Sequence, residues 1–284
     1  MSFFDDVISA ALEADTEYAA LRPVLEKEVL HHDILREMNK AGFLKELTFI
    51  GGTCLRLCYD SPRLSEDLDF TGGFQFRKND LADLRGILKT ALEKKYGLPV
   101  EVSEPETKKD TGDVETWKIK IITRPERPDF PSQRIHIDIC LIPSHERRPA
   151  MLRNHYGIES GTSGMILFAE SLEELLTDKT IALALRPGRV KNRDLWDIFW
   201  LNRKNITVPP DLLKQKIADR KISFQEFSER HAARLNELRG GQKDFLFEMR
   251  RFLKPSAFSE DFTSPHWWEY LRTILALPES PRQR

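Results

Sequence analysis

FIGGTCLRLCYDSPRLSEDLDF, residues Phe49 to Phe70, is the stretch on which the reading of this chain turns. It opens at the end of a short β-prone run, Leu47-Thr48-Phe49-Ile50, followed at once by Gly51-Gly52, which predicts a buried strand entering a tight turn. TCLRLCYD then predicts a short helix, SPR a turn, and EDLDF a second strand, whose alternation puts Asp67 and Asp69 on one face. Each fragment is common by itself, but together they make one device. A Gly-Gly-Thr turn ahead of a helix presents backbone N–H groups and a hydroxyl to phosphate oxygens with no side chain in the way. Two carboxylates one residue apart repel, and a divalent cation between them relieves that repulsion. Mg²⁺ in particular prefers a few carboxylates plus substrate phosphates to an all-protein cage.

Upstream, Val24, Glu28, His31, Leu35 and Met38 recur at helical spacing from Pro23 to Lys40. His31 and His32, with no carboxylate or cysteine at metal spacing, are expected at the surface or the rim of the core. Leu81 to Tyr96 predicts an amphipathic helix closed by Gly97. Two strands follow, Glu115 to Ile122 and Arg134 to Ile142, both alternating with period two. In the second, Ile135, Ile137 and Ile139 form the apolar face, so Asp138 points the other way, beside His136. Read from the residues alone, Asp138 is an edge-strand aspartate paired with Arg134 or Lys120, and His136 is expected to be structural.

Strands are expected to stop near residue 142. Ser171, with Glu174 three residues on, opens a helix with a capping box, and helical patterns continue through Asp194–Arg203, Asp211–Arg220, Ser223–Arg239, Gln242–Leu253 and Trp267–Leu277. Leu172, Leu175, Leu176 and Leu183 share a stripe with Lys179, which either snorkels at the core's rim or reaches an anion. Asp194 and Asp197 share a helix face after the basic run Arg186, Arg189, Lys191 and Arg193. That run, with Lys118 and Lys120, offers a track for an RNA backbone or forms a solvated helix junction. Trp267 and Trp268 are expected to pack rather than to stack on bases. The expected organisation is an α+β core over residues 1–160 and a helical region over 161–284.

The 44 Lys and Arg nearly cancel the 45 Asp and Glu, leaving −1, so no net field draws this chain to a polyanion and any such site must be a local patch. Three cysteines without a metal-type pair read as free thiols of a reducing cytosol. No apolar run reaches the length of a membrane span, and the acidic start, with Asp5 and Asp6, is unlike a secretory signal, so a cytoplasmic location is expected. The serine-hydrolase elbow, the P-loop lysine and the zinc-protease His-Glu-x-x-His are missing from the sequence.

GGTCLRL followed by RLSEDLDF, with ESLEELLTDKTIALALR and RDLWDIFWL downstream, resembles the abortive-infection nucleotidyltransferase toxins of the AbiEii/AbiGii type, over roughly residues 25 to 205. Those belong to the polymerase-β-like nucleotidyltransferase superfamily. The resemblance implies a mixed-sheet core of that fold followed by an α-helical C-terminal region. It implies transfer of a nucleoside monophosphate from an NTP to an acceptor hydroxyl, a tRNA 3′ end, with Mg²⁺ or Mn²⁺, in a phage-defence toxin restrained by a cognate antitoxin. Residue by residue, it puts nucleotide binding on Gly51, Gly52, Thr53, Ser65 and Lys179. It puts metal binding on Asp67 and Asp69, with Asp138 as the neighbouring-strand carboxylate, and it adds Lys179 and Asp194 to the catalytic set. The alternatives are a protein hydroxyl as acceptor, with the same active-site residues, or a non-catalytic nucleotide- or RNA-binding module. The intact Asp67 and Asp69 pair speaks against the latter.

Overall fold

The computed structural model describes residues 2–105, 112–127 and 129–276 of the chain. By compactness the chain separates into two units, Met1–Glu170 and Ser171–Arg284. The first unit opens with helices α1 (Phe3–Ala14) and α2 (Arg22–Lys40). Strand β1 (Thr48–Ile50) runs straight into helix α3 (Gly51–Tyr59), and the chain returns as β2 (Leu68–Thr71). Helix α4 (Leu84–Tyr96), ended by Gly97 in the left-handed region, leads to β3 (Val100–Ser103), β4 (Val114–Ile121) and β5 (Gln133–Cys140). Two further strands follow, β6 (Arg147–Met151) and β7 (Ile166–Glu170).

These strands form one seven-stranded mixed sheet in the order β3-β4-β5-β2-β1-β7-β6. The β1–β2, β3–β4, β4–β5 and β6–β7 pairs are antiparallel, whereas β2–β5 and β1–β7 are parallel. The expectation that strands end near residue 142 is therefore corrected. Strand β7 returns to lie beside β1 in the sheet interior, and β6 forms an edge. The Arg147-Arg148-Pro149 run suits that edge, because charged side chains and a residue without an N–H discourage further strand addition.

Alternation along the strands builds the core on one face. Trp117, Ile119 and Ile121 of β4, Ile135, Ile137 and Ile139 of β5, Leu68 and Phe70 of β2 and Phe49 of β1 are all at most 1% exposed. Phe49 and Phe70 stack with ring centroids 5.0 Å apart. His31 and His32, expected at the surface or the rim of the core, are fully buried in α2. His31 Nε2 lies 3.0 Å from the Glu66 carbonyl and His32 Nδ1 2.7 Å from the Thr162 hydroxyl. Burial holds both rings in the neutral form, at about 3 for His31 and about 4 for His32. Their loss of solvent follows from partners remote in sequence, which helical spacing cannot show.

The second unit is helical: α5 (Leu172–Leu185), α6 (Asn192–Arg203), α7 (Pro210–Asp219), α8 (Phe224–Glu237), α9 (Gln242–Met249) and α10 (Pro265–Ile274). Leu277, the expected end of the last helix, lies outside the described residues. Ser171 caps α5 by accepting the Glu174 N–H at 3.0 Å. Ile181, Ala184, Leu213, Ile217 and Phe227 form one core cluster. Trp196, Phe199, Phe245, Phe262, Trp267 and Trp268 form an aromatic cluster with centroid separations of 4.9–6.2 Å. Trp268 is buried and its indole donates to the Leu238 carbonyl at 3.0 Å, the packing role expected for this pair.

Candidate active site

Gly51 and Gly52 do not form a turn ahead of the helix; they are its first residues. Gly51 takes φ +76°, a left-handed conformation that lets α3 start directly from the end of β1. A Cβ at Gly51 would stand 3.0 Å from both Cβ and Cγ of Asp69 and would collide with its carboxylate. A Cβ at Gly52 would run into the Arg63 guanidinium and lie 3.1 Å from Ser65 Oγ. Both glycines are thus needed so that the first turn of α3 and the side chains of Asp69, Arg63 and Ser65 can share one small volume. The N-cap, Ile50, supplies no side-chain acceptor, and the positive end of the α3 dipole points here. Thr53 is fully buried and its hydroxyl donates to the Asp67 carbonyl, so it ties the helix to the carboxylate strand.

Register puts the carboxylates on one face. On the parallel pair β2–β5, Asp69 lies directly opposite Asp138, about 4.8 Å away between strand axes, and both point away from the aliphatic face. Strand β5 lies between β4 and β2, so Asp138 is not on an edge strand, and in the β4–β5 register it stands opposite Thr116, while Lys120 stands opposite Arg134. Asp138 accepts the Thr116 hydroxyl at 2.7 Å, and Lys120 pairs with Glu101 at 3.2 Å. Asp67 immediately precedes β2. Its Oδ1 accepts the His136 backbone N–H at 3.0 Å, with the His136 ring Nδ1 at 3.4 Å. His136 is therefore at the site, between Asp67 and the face that carries Asp138.

Among the described residues no three His, Cys, Asp or Glu side chains converge closely enough to cage a metal by themselves. Asp69 and Asp138 side by side, with Asp67 at the strand's start, are a partial set of hard oxygen donors beside a helix N-terminus. That set fits a divalent cation completed by phosphate oxygens and water.

Lys179 and Asp194 lie in the second unit, where they meet each other. The Lys179 ammonium sits 2.7 Å from Asp194 Oδ1 and 2.9 Å from Asp197 Oδ2, and Arg186 takes the other oxygen of Asp194. Lys179 is thus held in an ion-pair cluster with two buried carboxylates. Asp197, which shares a helix face with Asp194, is fully buried and belongs to the same cluster. Burial alone would raise the Asp194 carboxyl, but Lys179 and Arg186 outweigh it and hold the group at about 2. The basic run is less open than expected. Arg186 is engaged by Asp194, and Arg193 is 3.6 Å from Glu248 and stacked over Phe252; Arg189 and Lys191 are exposed.

Sequence reasoning missed Arg63, which reads as an ordinary turn residue but is buried against Gly52, its Nη1 donating to the Leu64 carbonyl at 2.9 Å. Gly51→Ala tests the shared volume. The left-handed backbone alone costs about 1–2 kcal/mol, and displacement of Asp69 adds to that, so denaturant unfolding should show the loss of stability together with loss of activity.

The chain thus combines a mixed seven-stranded sheet, with Asp69 and Asp138 opposite each other beside a Gly-Gly helix start, and a second, helical unit. The family model described as "Nucleotidyl transferase AbiEii toxin, Type IV TA system" matches residues 33–274, and the chain belongs to that family. Membership makes the protein a nucleotidyltransferase toxin of a type IV toxin–antitoxin system, with an NTP as substrate and a cognate antitoxin. No curated protein matches it significantly. Among solved structures it is similar to MenT4, a nucleotidyltransferase toxin from Mycobacterium tuberculosis H37Rv, at 14% identity and TM-score 0.56, over 95% of this chain and 88% of that one. It also matches JHP933 from Helicobacter pylori at 18% identity and TM-score 0.48, over 89% of this chain and 91% of that one. Among the described residues no helix is long and apolar enough to cross a membrane.

Proposed function

We propose that the protein transfers a nucleoside monophosphate from an NTP to the 3′-terminal hydroxyl of a tRNA, with Mg²⁺ as the working metal. The observation that carries this reading is the direct opposition of Asp69 and Asp138 beside the first turn of α3. The N–H groups of Gly51 and Gly52 and the α3 dipole hold the triphosphate, with Ser65 and the Arg63 guanidinium beside them. Asp67, Asp69 and Asp138 would hold the metal, which would supply charge to polarise the phosphates and lower the pKa of the attacking hydroxyl. His136 and Thr116 keep Asp67 and Asp138 oriented through their hydrogen bonds. The acceptor hydroxyl oxygen forms a bond to the α-phosphorus as the bond to the bridging oxygen of the β-phosphate breaks. Pyrophosphate leaves and the hydroxyl proton passes to water. The assignments of Lys179 as triphosphate cation and of Asp194 as a catalytic residue rest on the motif match. The choice of tRNA rests on the family resemblance.

Incubation with each labelled NTP and separate pools of RNA and protein tests this. Label should enter RNA of tRNA size, only with divalent metal, and block its aminoacylation. Label entering protein instead would overturn the acceptor while leaving nucleotidyl transfer in place. Expressed from a tight promoter, the wild type should arrest bacterial growth and Asp69→Asn at matched levels should not.

A further inference from the structure

The segment from Ser61 to Glu66 joins the end of α3 to the carboxylate strand, and a charge network buried behind the site holds it. Glu28 of α2 is fully buried, although it occupies a position in the helix's apolar stripe. Its Oε1 accepts the Ser65 backbone N–H at 2.7 Å; its Oε2 accepts Arg56 Nε at 3.2 Å and the Tyr156 hydroxyl. Arg56 of α3 in turn donates to the Ser61 carbonyl at 3.0 Å and to the Tyr18 hydroxyl at 2.9 Å. One ion pair therefore grips both ends of the loop, Arg56 at Ser61 and Glu28 at Ser65. The same helix reaches the next residue twice, through Lys27 to the Glu66 carboxylate at 2.9 Å and His31 to the Glu66 carbonyl. Asp67 follows directly.

We propose that Glu28 is a positioning residue for nucleotidyl transfer: its buried carboxylate fixes the Ser61–Glu66 loop, and so sets Asp67 and Asp69 against the first turn of α3. The inference rests on the assignment of Asp67 and Asp69 as metal carboxylates. A buried carboxylate is costly unless it is fully paired, and Glu28 is paired with a cation, a hydroxyl and a backbone N–H. The backbone N–H is the bond that bears on the site. The Tyr156 hydroxyl touches Glu28 but not the loop, so it separates positioning from stability.

The test compares Glu28→Gln, Glu28→Asp and Tyr156→Phe, assayed for kcat and KM at a temperature where thermal unfolding shows each to be folded. Glu28→Asp keeps the charge beside Arg56 but is one methylene too short for Ser65 N–H, so it decides the matter should Glu28→Gln not fold. Loss of a group that orients metal ligands typically costs about 10–100-fold. Both Glu28 variants should lose kcat in that range, with a smaller change in KM for the NTP and a higher metal concentration for half-maximal rate. Tyr156→Phe should lower the melting temperature and leave kcat within about twofold of wild type, well short of that range. Wild-type kcat in a folded Glu28 variant would overturn the proposal, as would kcat losses that merely track melting temperature across all three. Failure of the underlying site assignment shows separately, as activity retained by Asp69→Asn.

Discussion

Under the proposed metal assignment, Asp69→Asn is expected to give a folded protein whose transfer rate falls by more than about a hundredfold. Asparagine has the shape of aspartate, so the β2–β5 register and the close approach of the side chain to Gly51 persist. What goes is a full negative charge on a hard oxygen ligand, and Mg²⁺ holds few protein carboxylates, so each one counts. Loss of groups that only orient metal ligands already costs about 10–100-fold, and loss of a ligand should exceed that. Asp138→Asn is expected to act in the same direction and to raise the metal concentration needed. Rates measured across a Mg²⁺ titration on both variants, with circular dichroism as the fold check, read this directly. Near-wild-type transfer by folded Asp69→Asn would sink the metal-carboxylate assignment.

The second large effect is on stability. Lys179→Ala removes the ammonium that two buried carboxylates, Asp194 and Asp197, share. Breaking a buried pair from one side costs about 3–5 kcal/mol, because two buried carboxylates then keep their negative charge with less countercharge beside them. This loss depends on pH with a definite sign. The folded-state pKa of Asp194 is depressed to about 2 from an ordinary 3.8, so its contribution is complete above about pH 4 and disappears as pH falls through 2. Without Lys179 the depression shrinks, and the stability gap between wild type and variant should narrow from pH 4 down to pH 2. Urea unfolding at neutral pH and again near pH 3 measures both points. A gap of under about 1 kcal/mol at neutral pH, the scale of an exposed pair, would show that the cluster is solvated in solution.

Local chemistry made much of this protein legible from the sequence. A β-prone run ending at Gly51-Gly52 cannot continue as a strand, and the period of two in Trp117, Ile119 and Ile121 and in Ile135, Ile137 and Ile139 dictates which residues share a face. Asp69 and Asp138 were readable as candidates because parity alone removes them from the aliphatic side. Lys179 stood out as the one polar residue in a leucine stripe. Each of these inferences needs only neighbours within one or two turns of the chain.

What the tertiary structure decided involves partners far apart in sequence. Strand β7 belongs to the sheet because Ala169 pairs with Phe49, and nothing in Ile166–Glu170 states which strand it will join. Asp138 lies in the sheet interior because β5 is enclosed by β4 and β2, which the sequence of Arg134 to Ile142 does not state. His31, His32 and Glu28 look like a polar interruption of a helix face until Glu66, Thr162, Ser65, Arg56 and Tyr156 fold over them. Arg63 is likewise an ordinary turn residue until Gly52 leaves room for its guanidinium. The physical reason is the same in each case. Backbone periodicity and turn chemistry are set by local sterics, whereas burial of a charge is settled only by whichever distant groups arrive to pair with it.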